Sequence, residues 1–512
     1  MVSTWNLVRF PTAYLGPRPS RSSPGVSLWG DGVNYKNPGQ IAGWSDENAG
    51  PVRQQRDPRP TLWSSLHRSY YLIWKYRKPS ICLPRPTTSV KLQVISTKSG
   101  TAPQPNSNSQ TAIMAISDLK KGDAPSLALV HPTEAEKQIQ FNLNGTEWCG
   151  ALTIPAYIRR EAHLAQTTLT RDGGISYWML VDTSLTNNPF DPKSGTRLPL
   201  ASCETYRKKA LVWQNGVLKE VICHGVGSVY CANHLRKRGY AQRMITELSK
   251  VIRTYQTEEG LECMFSVLYS DIGKKFYKSF GWEPFPSSHI SLPLTTAQNT
   301  SCLPVARPLY AEDLEELCSI DVASLRQSLK SRPKGSKTAV ALIPNLETIQ
   351  WHHAREEFVG NELHGKTPKI KGAIVGTEKG KRIWCYWTRM WYNPNPAETK
   401  GNTLHILRLV VEDNGGEGSS NNMANGSGNG QESAIAALMA MAQREAQAWK
   451  MEHVEMWTPT PVALAAAKKL DPDVQVVYRD VESIACLQWF PEHDGCAADE
   501  IDWVGMEKYV WC

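Results

Sequence analysis

Two kinds of hydrophobic spacing alternate along the chain from residue 126 onward, and neither is sustained before it. Residues 127–130 (LALV) and 175–181 (ISYWMLV) are apolar runs of strand length. Between them Thr133 offers an N-cap, and helical signals continue through residues 155–168. Runs at 202–212 and 221–232 flank Asn215-Gly216, the dipeptide of a tight hairpin turn. The second run passes through a basic turn into Met244, Ile245, Leu248, Val251 and Ile252, which share one helix face, and the apolar run 263–269 (CMFSVLY) follows as a buried strand.

The same order then recurs. Residues 305–314 read as strand then helix, with strands at 372–375, 382–391 and 404–411, a helix at 432–450, a strand at 454–457, a helix at 461–470 and strands within 474–490. Residues 414–431 (NGGEGSSNNMANGSGNGQ) interrupt the replay as a flexible insertion. The pattern predicts an α/β chain of two similar units, 126–293 and 300–512, each a mixed, mostly antiparallel sheet flanked by helices.

Composition adds a boundary and removes some partners. Residues 1–113 carry 14 Lys and Arg against 4 Asp and Glu, while the remainder carries 43 against 45. The net charge of +8 therefore belongs to the N-terminal stretch, and no nucleic-acid partner is implied for the folded part. That stretch is rich in Pro, Ser and Arg and reads as a low-order extension. Three readings of it stay open: an upstream artefact with Met114 as the start, a linker, or a mitochondrial targeting segment that lacks the usual amphipathic spacing. No apolar run approaches the roughly 20 residues of a membrane span. The 12 cysteines include no CxxC pair, so the default is a reduced, cytoplasmic protein without a zinc site.

The chemistry concentrates where strand meets helix. His234-Leu235-Arg236-Lys237-Arg238-Gly239-Tyr240-Ala241 sits at a helix N-terminus, where unpaired N–H groups and the positive end of the dipole favour a phosphate. Gly239 permits close approach, Ala241 is small, and Arg236 and Arg238 add charge. The turn reads as a pyrophosphate cradle.

Arg236-x-x-Gly239-x-Ala241 resembles the acyl-CoA motif of the GNAT N-acetyltransferase superfamily. Ser270, Tyr277, Gly281 and Trp282 fill the places of the other GNAT signature, a polar residue followed by Tyr-x-x-x-Gly-aromatic. The resemblance implies a GNAT fold followed by a second, degenerate GNAT-like domain, with acetyl-CoA as co-substrate and no metal. It assigns Cys231, Arg236, Lys237, Arg238, Gly239, Tyr240, Ala241, Ser270 and Tyr277 to the acetyl-CoA site. Cys231 would contribute a backbone N–H to the oxyanion, and Tyr277 would protonate the departing thiolate or, alternatively, pack on the channel. Asn233 stands where relatives often have Pro. For the general base Glu204 and His224 both qualify, as residues of neighbouring strands that would face the cleft; either could instead be an ordinary partly buried polar residue. In the second unit, residues 414–431 contain no Arg or Lys, so that half reads as non-catalytic.

Over residues 126–512 the chain is similar to the fungal L-lysine N6-acetyltransferase family of lysine catabolism. The stretches that carry this are 201–212, 227–232 and Trp351-His352-His353-Ala354-Arg355-Glu356-Glu357-Phe358. The resemblance implies free L-lysine as the amine. Arg389 or Arg408 would then clamp the substrate carboxylate, and His352, His353, Glu356 and Glu357 form a polar helix face rather than a metal site. Two other readings remain open: a GNAT enzyme for another small amine or for protein lysines, and an inactive CoA-binding scaffold.

Overall fold

The computed structural model describes residues 114–258, 260–294, 302–412, 427–490 and 497–511. The readings of residues 1–113, and of most of the insertion at 414–431, lie outside them.

The first half runs β1 (Leu127–Val130), α1 (Glu134–Trp148), α2 (Ile154–Leu164), β2 (Ile175–Asp182), β3 (Ala201–Gln214), β4 (Val217–Tyr230), α3 (Tyr240–Val251), β5 (Cys263–Ser270), α4 (Lys275–Lys278), β6 (Glu283–Pro284) and β7 (Ser288–Pro293). Thr133 caps α1 by accepting from the N–H of Glu136, as its sequence position predicts. Asn215 and Gly216 both take positive φ, 51° and 87°, so the turn twists in the sense that suits a two-residue hairpin.

The second half repeats the order: β8 (Ala306–Leu309), α5 (Leu314–Lys330), β9 (Thr338–Leu342), α6 (Leu346–His364), β10 (Gly372–Val375), β11 (Ile383–Met390), β12 (Thr403–Val411), α7 (Ser427–Ala448), β13 (His453–Trp457), α8 (Pro461–Leu470), β14 (Val477–Tyr478), β15 (Ile484–Trp489) and β16 (Ile501–Trp503). α7 begins five residues before the helix read from the pattern, inside the Gly-rich stretch.

The two sheets have matching orders, β1-β2-β3-β4-β5-β15-β6 and β8-β10-β11-β12-β13-β7-β14. Along each of these orders one parallel pair, β4 with β5 or β12 with β13, interrupts antiparallel neighbours; off the first order, β9 and β16 also pair in parallel. The sixth strand of each sheet comes from the other half: β7 pairs with β13, and β15 pairs with β5. A cut between residues 293 and 300 therefore runs through both sheets. Extra strands β9 and β16 extend the first sheet from the far end of β3.

Three cores hold this together. α3 packs on one face of the first sheet through Met244, Ile245, Leu248 and Ile252, all 0% exposed. α7 and α8 cover the outer face of the second sheet. The third core lies between the halves and joins Ala210, Val212 and Cys223 to Trp384, Tyr386 and Leu407. This shared apolar layer makes the halves one folding unit.

Candidate active site

β4 and β5 are the elements that open the site. Their parallel ladder runs from Ile222 beside Cys263 to Val226 beside Leu268, and then stops. Residues 227–230 of β4 continue paired only to β3, which leaves a wedge between the two parallel strands. A bulge on β4, where Ser228 (φ 50°) and Val229 stand opposite Cys203 alone, bends the pair away at this point.

Glu204 stands directly beside the opening, across from Gly227, the first residue of β4 past the β5 ladder. Its carboxylate is 3% exposed and accepts hydrogen bonds from Tyr206 Oη (3.2 Å) and Ser228 Oγ (3.1 Å). Burial, reinforced by the Glu161 carboxylate on α2, pushes its pKa up to about 8.

His224 lies elsewhere. It pairs with Arg207 across the β3–β4 hairpin, three residues from Glu204, so the two side chains are on opposite faces of the sheet. The ring is fully buried, Nε2 donates to the Tyr255 carbonyl (3.0 Å), and burial keeps it neutral by lowering its pKa. The expectation that both candidates face one cleft is corrected: Glu204 borders the wedge from the side shared by the two halves, and His224 lies under the loop that follows α3.

The basic turn after β4 forms a backbone concavity. Lys237 takes φ 65° and Gly239 φ 84°, two left-handed residues within three positions, before α3 begins at Tyr240. A non-glycine residue held in this region is strained, and alternation of this kind directs successive N–H groups inward. The N–H of Arg243 is the first to bond back, to the Gly239 carbonyl (3.0 Å), so the preceding first-turn N–H groups remain directed outward. Backbone and charge here fit a diphosphate.

The side chains assigned to the cradle divide into two sets. Arg236 is half exposed, with Nε donating to the Cys231 carbonyl (2.9 Å) and its guanidinium over the Tyr230 ring (5.8 Å). Lys237 is exposed and Ala241 half-buried. Arg238 and Tyr240 instead turn onto the segment before β1: Arg238 donates to the Leu119 carbonyl and Tyr240 to that of Lys120. The Gly122 N–H donates to the Arg238 carbonyl (2.7 Å), and a Cβ on Gly122 would come within 2.4 Å of the Gly239 carbonyl oxygen. Residues 117–124 thus brace the cradle from behind, a role that the sequence reading did not anticipate.

Cys231 directly follows the last residue of β4. Its thiol lies 3.3 Å from the Leu200 carbonyl, and burial raises its pKa, so it is a packed thiol rather than a nucleophile. Ser270 spends its hydroxyl on the 270–273 loop, donating to the Gly273 carbonyl (2.7 Å). Tyr277 on α4 is 7% exposed in the core beneath the wedge, its pKa raised by burial. Gly281 (φ 93°) ends this helical turn, and the buried Trp282 donates to Ser266 Oγ (3.2 Å).

The arginines expected to clamp a carboxylate are already committed. Arg389 is 0% exposed; it binds Glu356 (2.9 Å) on α6 and Glu445 (2.6 Å) on α7, beneath the outer helices. Arg408 forms a fork with Asp321 (2.9 and 2.7 Å) and bonds Glu507. Neither has a carboxylate-binding edge to spare, so the clamp reading is withdrawn for both. The helix face at 352–357 is likewise internal: His352 donates to the Tyr509 carbonyl, His353 to that of Trp387, and Glu356 also binds Lys371. Burial holds both imidazoles neutral. Among the described residues no group of three or more His, Cys, Asp or Glu is arranged to hold a metal.

The wedge of the second sheet contrasts with the first. β12 and β13 part company after Ile406 and Met456. The chain's own C-terminal segment enters beyond that point: Glu507 accepts from the Leu409 N–H (2.9 Å), and Thr458 Oγ1 donates to the Met506 carbonyl (2.7 Å). This opening is filled from within.

Residues 289–512 match the family model described as the LYC1 GNAT-like C-terminal domain. That match assigns the second half to a GNAT-like domain, and the first half repeats its sheet order, with a parallel pair and a wedge at the corresponding place. It is similar to a lysine acetyltransferase of Yarrowia lipolytica, with 22% identity over 284 residues, which is 48% of this chain and 68% of that protein. A second relative, an uncharacterized protein of Saccharomyces cerevisiae, is 20% identical over 407 residues, 72% of this chain and 93% of its own. A solved probable N-acyltransferase of Enterococcus faecalis aligns over 71% of this chain and 72% of its own at 12% identity, with a TM-score of 0.43. No described helix is long and apolar enough to cross a membrane.

Proposed function

We propose that this protein is an acetyl-CoA-dependent N-acetyltransferase acting on the side-chain amine of free L-lysine, with its active site in the first wedge. The observation that carries the proposal is Glu204, a desolvated carboxylate beside the first residue of β4 to leave the β5 ladder. Acetyl-CoA would supply an activated thioester carbonyl there. The first turn of α3, with Arg236 and Lys237, holds the diphosphate, and the N–H groups where β4 ends stabilise the developing oxyanion.

A lysine ammonium has a pKa near 10.4, so roughly one amine in a thousand is nucleophilic at neutral pH. Glu204 takes the proton that must leave the nitrogen as the new C–N bond forms, and a carboxylate titrating at about 8 is well matched to that task. The thiolate released as the C–S bond breaks takes a proton from the Tyr277 hydroxyl. The choice of lysine is supported by the Yarrowia relative's name and by the charged groups of Glu161 and Arg160 that act on Glu204. The filled second wedge supports one catalytic centre per chain.

Thiol release and product mass, measured with acetyl-CoA and a panel of L-lysine, ornithine, other small amines and a lysine-containing peptide, test this reading. Preferential formation of N6-acetyl-L-lysine, lost in an Arg236/Gly239 double variant, is expected. Preference for another amine or the peptide would discard lysine and keep the chemistry; CoA binding without turnover on any amine would leave a scaffold.

A further inference from the structure

We infer that Arg355, on α6 of the second half, receives the carboxylate of the amino-acid substrate. This rests on reading the substrate as a free amino acid, and it replaces Arg389 and Arg408 in that role.

The arginines of this region differ in whether an edge of the guanidinium is left free. Around Glu204, Arg160 gives Nε and Nη2 to Glu161 (2.8 and 2.6 Å). Arg389 and Arg408 are each held by two carboxylates. Arg355 is half-buried, yet among the described residues it makes no ion pair and no hydrogen bond; its guanidinium rests only over the Trp511 ring, at 5.8 Å. An unpaired charge removed from water is costly, and an incoming anion relieves that cost.

Position follows from a chain of contacts. Tyr206, which donates to Glu204, meets Trp351 edge-on at 5.8 Å. Trp351 is four residues before Arg355, so the two share a face of α6, and both reach Trp511. Arg355 thus lies one aromatic layer from the base. Lys508, whose ammonium lies 4.1 Å from the same Trp511 ring, also has no ion pair among the described residues. Two cations that form no ion pair among the described residues converge on one indole, across from a carboxylate that receives an amine proton. That polarity suits a substrate with an amine at one end and a carboxylate at the other. Burial lowers both cations, Arg355 to about 10 and Lys508 to about 7, consistent with anion sites left uncompensated.

The test compares L-lysine with cadaverine, which is lysine without its carboxylate, in the full chain. In Arg355→Ala, kcat/KM for L-lysine should fall roughly a hundredfold, mostly through KM, while cadaverine changes by less than about threefold. Arg355→Lys should restore part of the lysine activity, and Arg355→Gln serves if the alanine variant does not fold. Equal losses on both substrates would make Arg355 a structural residue and overturn the inference, as would an unchanged lysine KM. If the unaltered protein acetylates cadaverine and lysine equally, no carboxylate is being read. Failure of the unaltered protein on every amine would instead refute the acetyltransferase reading, and this inference with it.

Discussion

Replacing Glu204 with Gln removes one charge at nearly constant shape and separates two consequences of the same burial. The carboxylate is raised from an ordinary 4.5 to about 8, which corresponds to about 5 kcal/mol at about 1.4 kcal/mol per pH unit, an upper figure because a real site relaxes. For catalysis, the base form exists above about pH 8, so kcat/KM for L-lysine should rise about tenfold per pH unit below that value and then flatten. Glu204→Gln should lower kcat/KM by about a hundredfold to ten-thousandfold and erase this limb, leaving only the rise that follows the substrate amine. For stability the sign is opposite. The folded state binds the proton more tightly than the unfolded chain, so this stabilisation is complete below about pH 4.5 and is lost as pH rises through about 8. Glu204→Gln should flatten that decline in urea unfolding experiments. Thiol-release kinetics from pH 6 to 10 supply the first comparison. A variant that keeps both its rate and the limb near pH 8 would refute the assignment of Glu204 as base.

Arg389→Ala should destabilise the protein by about 3 to 5 kcal/mol in chemical unfolding, because Glu356 and Glu445 lose their shared cation; an unchanged unfolding midpoint would contradict its structural assignment. Tyr277→Phe should lower kcat by about 10- to 100-fold with CoA affinity nearly intact, and an unaltered kcat would make Tyr277 a packing residue. Gly122→Ala should weaken CoA binding in calorimetry, since its Cβ would displace the backbone at Gly239, and an unchanged Kd would show that the cradle does not depend on this brace. Glu507→Gln should destabilise the C-terminal segment in the second wedge without creating a second CoA site, so a binding stoichiometry of two would count against the filled-wedge account.

Much of the architecture was legible because its signals are local. A strand run, a basic turn with Gly239 and a helical stripe identify β4–α3 within thirty residues, and the Asn215-Gly216 pair fixes a hairpin whose register follows by counting. That count already separates the faces: Gln214 pairs with Val217, so Glu204 meets Gly227 and His224 meets Arg207. What stayed hidden depends on partners far away in the chain. β7 and β15 have the same alternation whichever sheet they join, so nothing local announces the exchange. Arg389 and Arg408 look like ligand clamps until Glu356, Glu445, Asp321 and Glu507 arrive from other elements. Arg355 shows the converse, since a cation with no ion pair among the described residues is recognised only after the others have been paired.

The exchange also bears on function. Because β15 of the second half lies directly against β5, the strand that forms one side of the first wedge, the second half is part of the framework of the proposed site even though its own wedge is filled. α6 and the C-terminal segment approach Glu204 from the shared interior, Trp351 lying 5.8 Å from the Tyr206 ring and 6.4 Å from that of Trp511. On the proposed acetyltransferase reading, the second half would form a wall of the amine site.

The most direct measurement is the position of an isotope-labelled acetyl group after incubation with labelled acetyl-CoA and L-lysine, read by mass spectrometry and NMR. The account predicts a single label on the side-chain nitrogen, formed catalytically and lost with Glu204→Gln. Label on the α-nitrogen, or no transfer to lysine at all while another amine is acetylated, would contradict it.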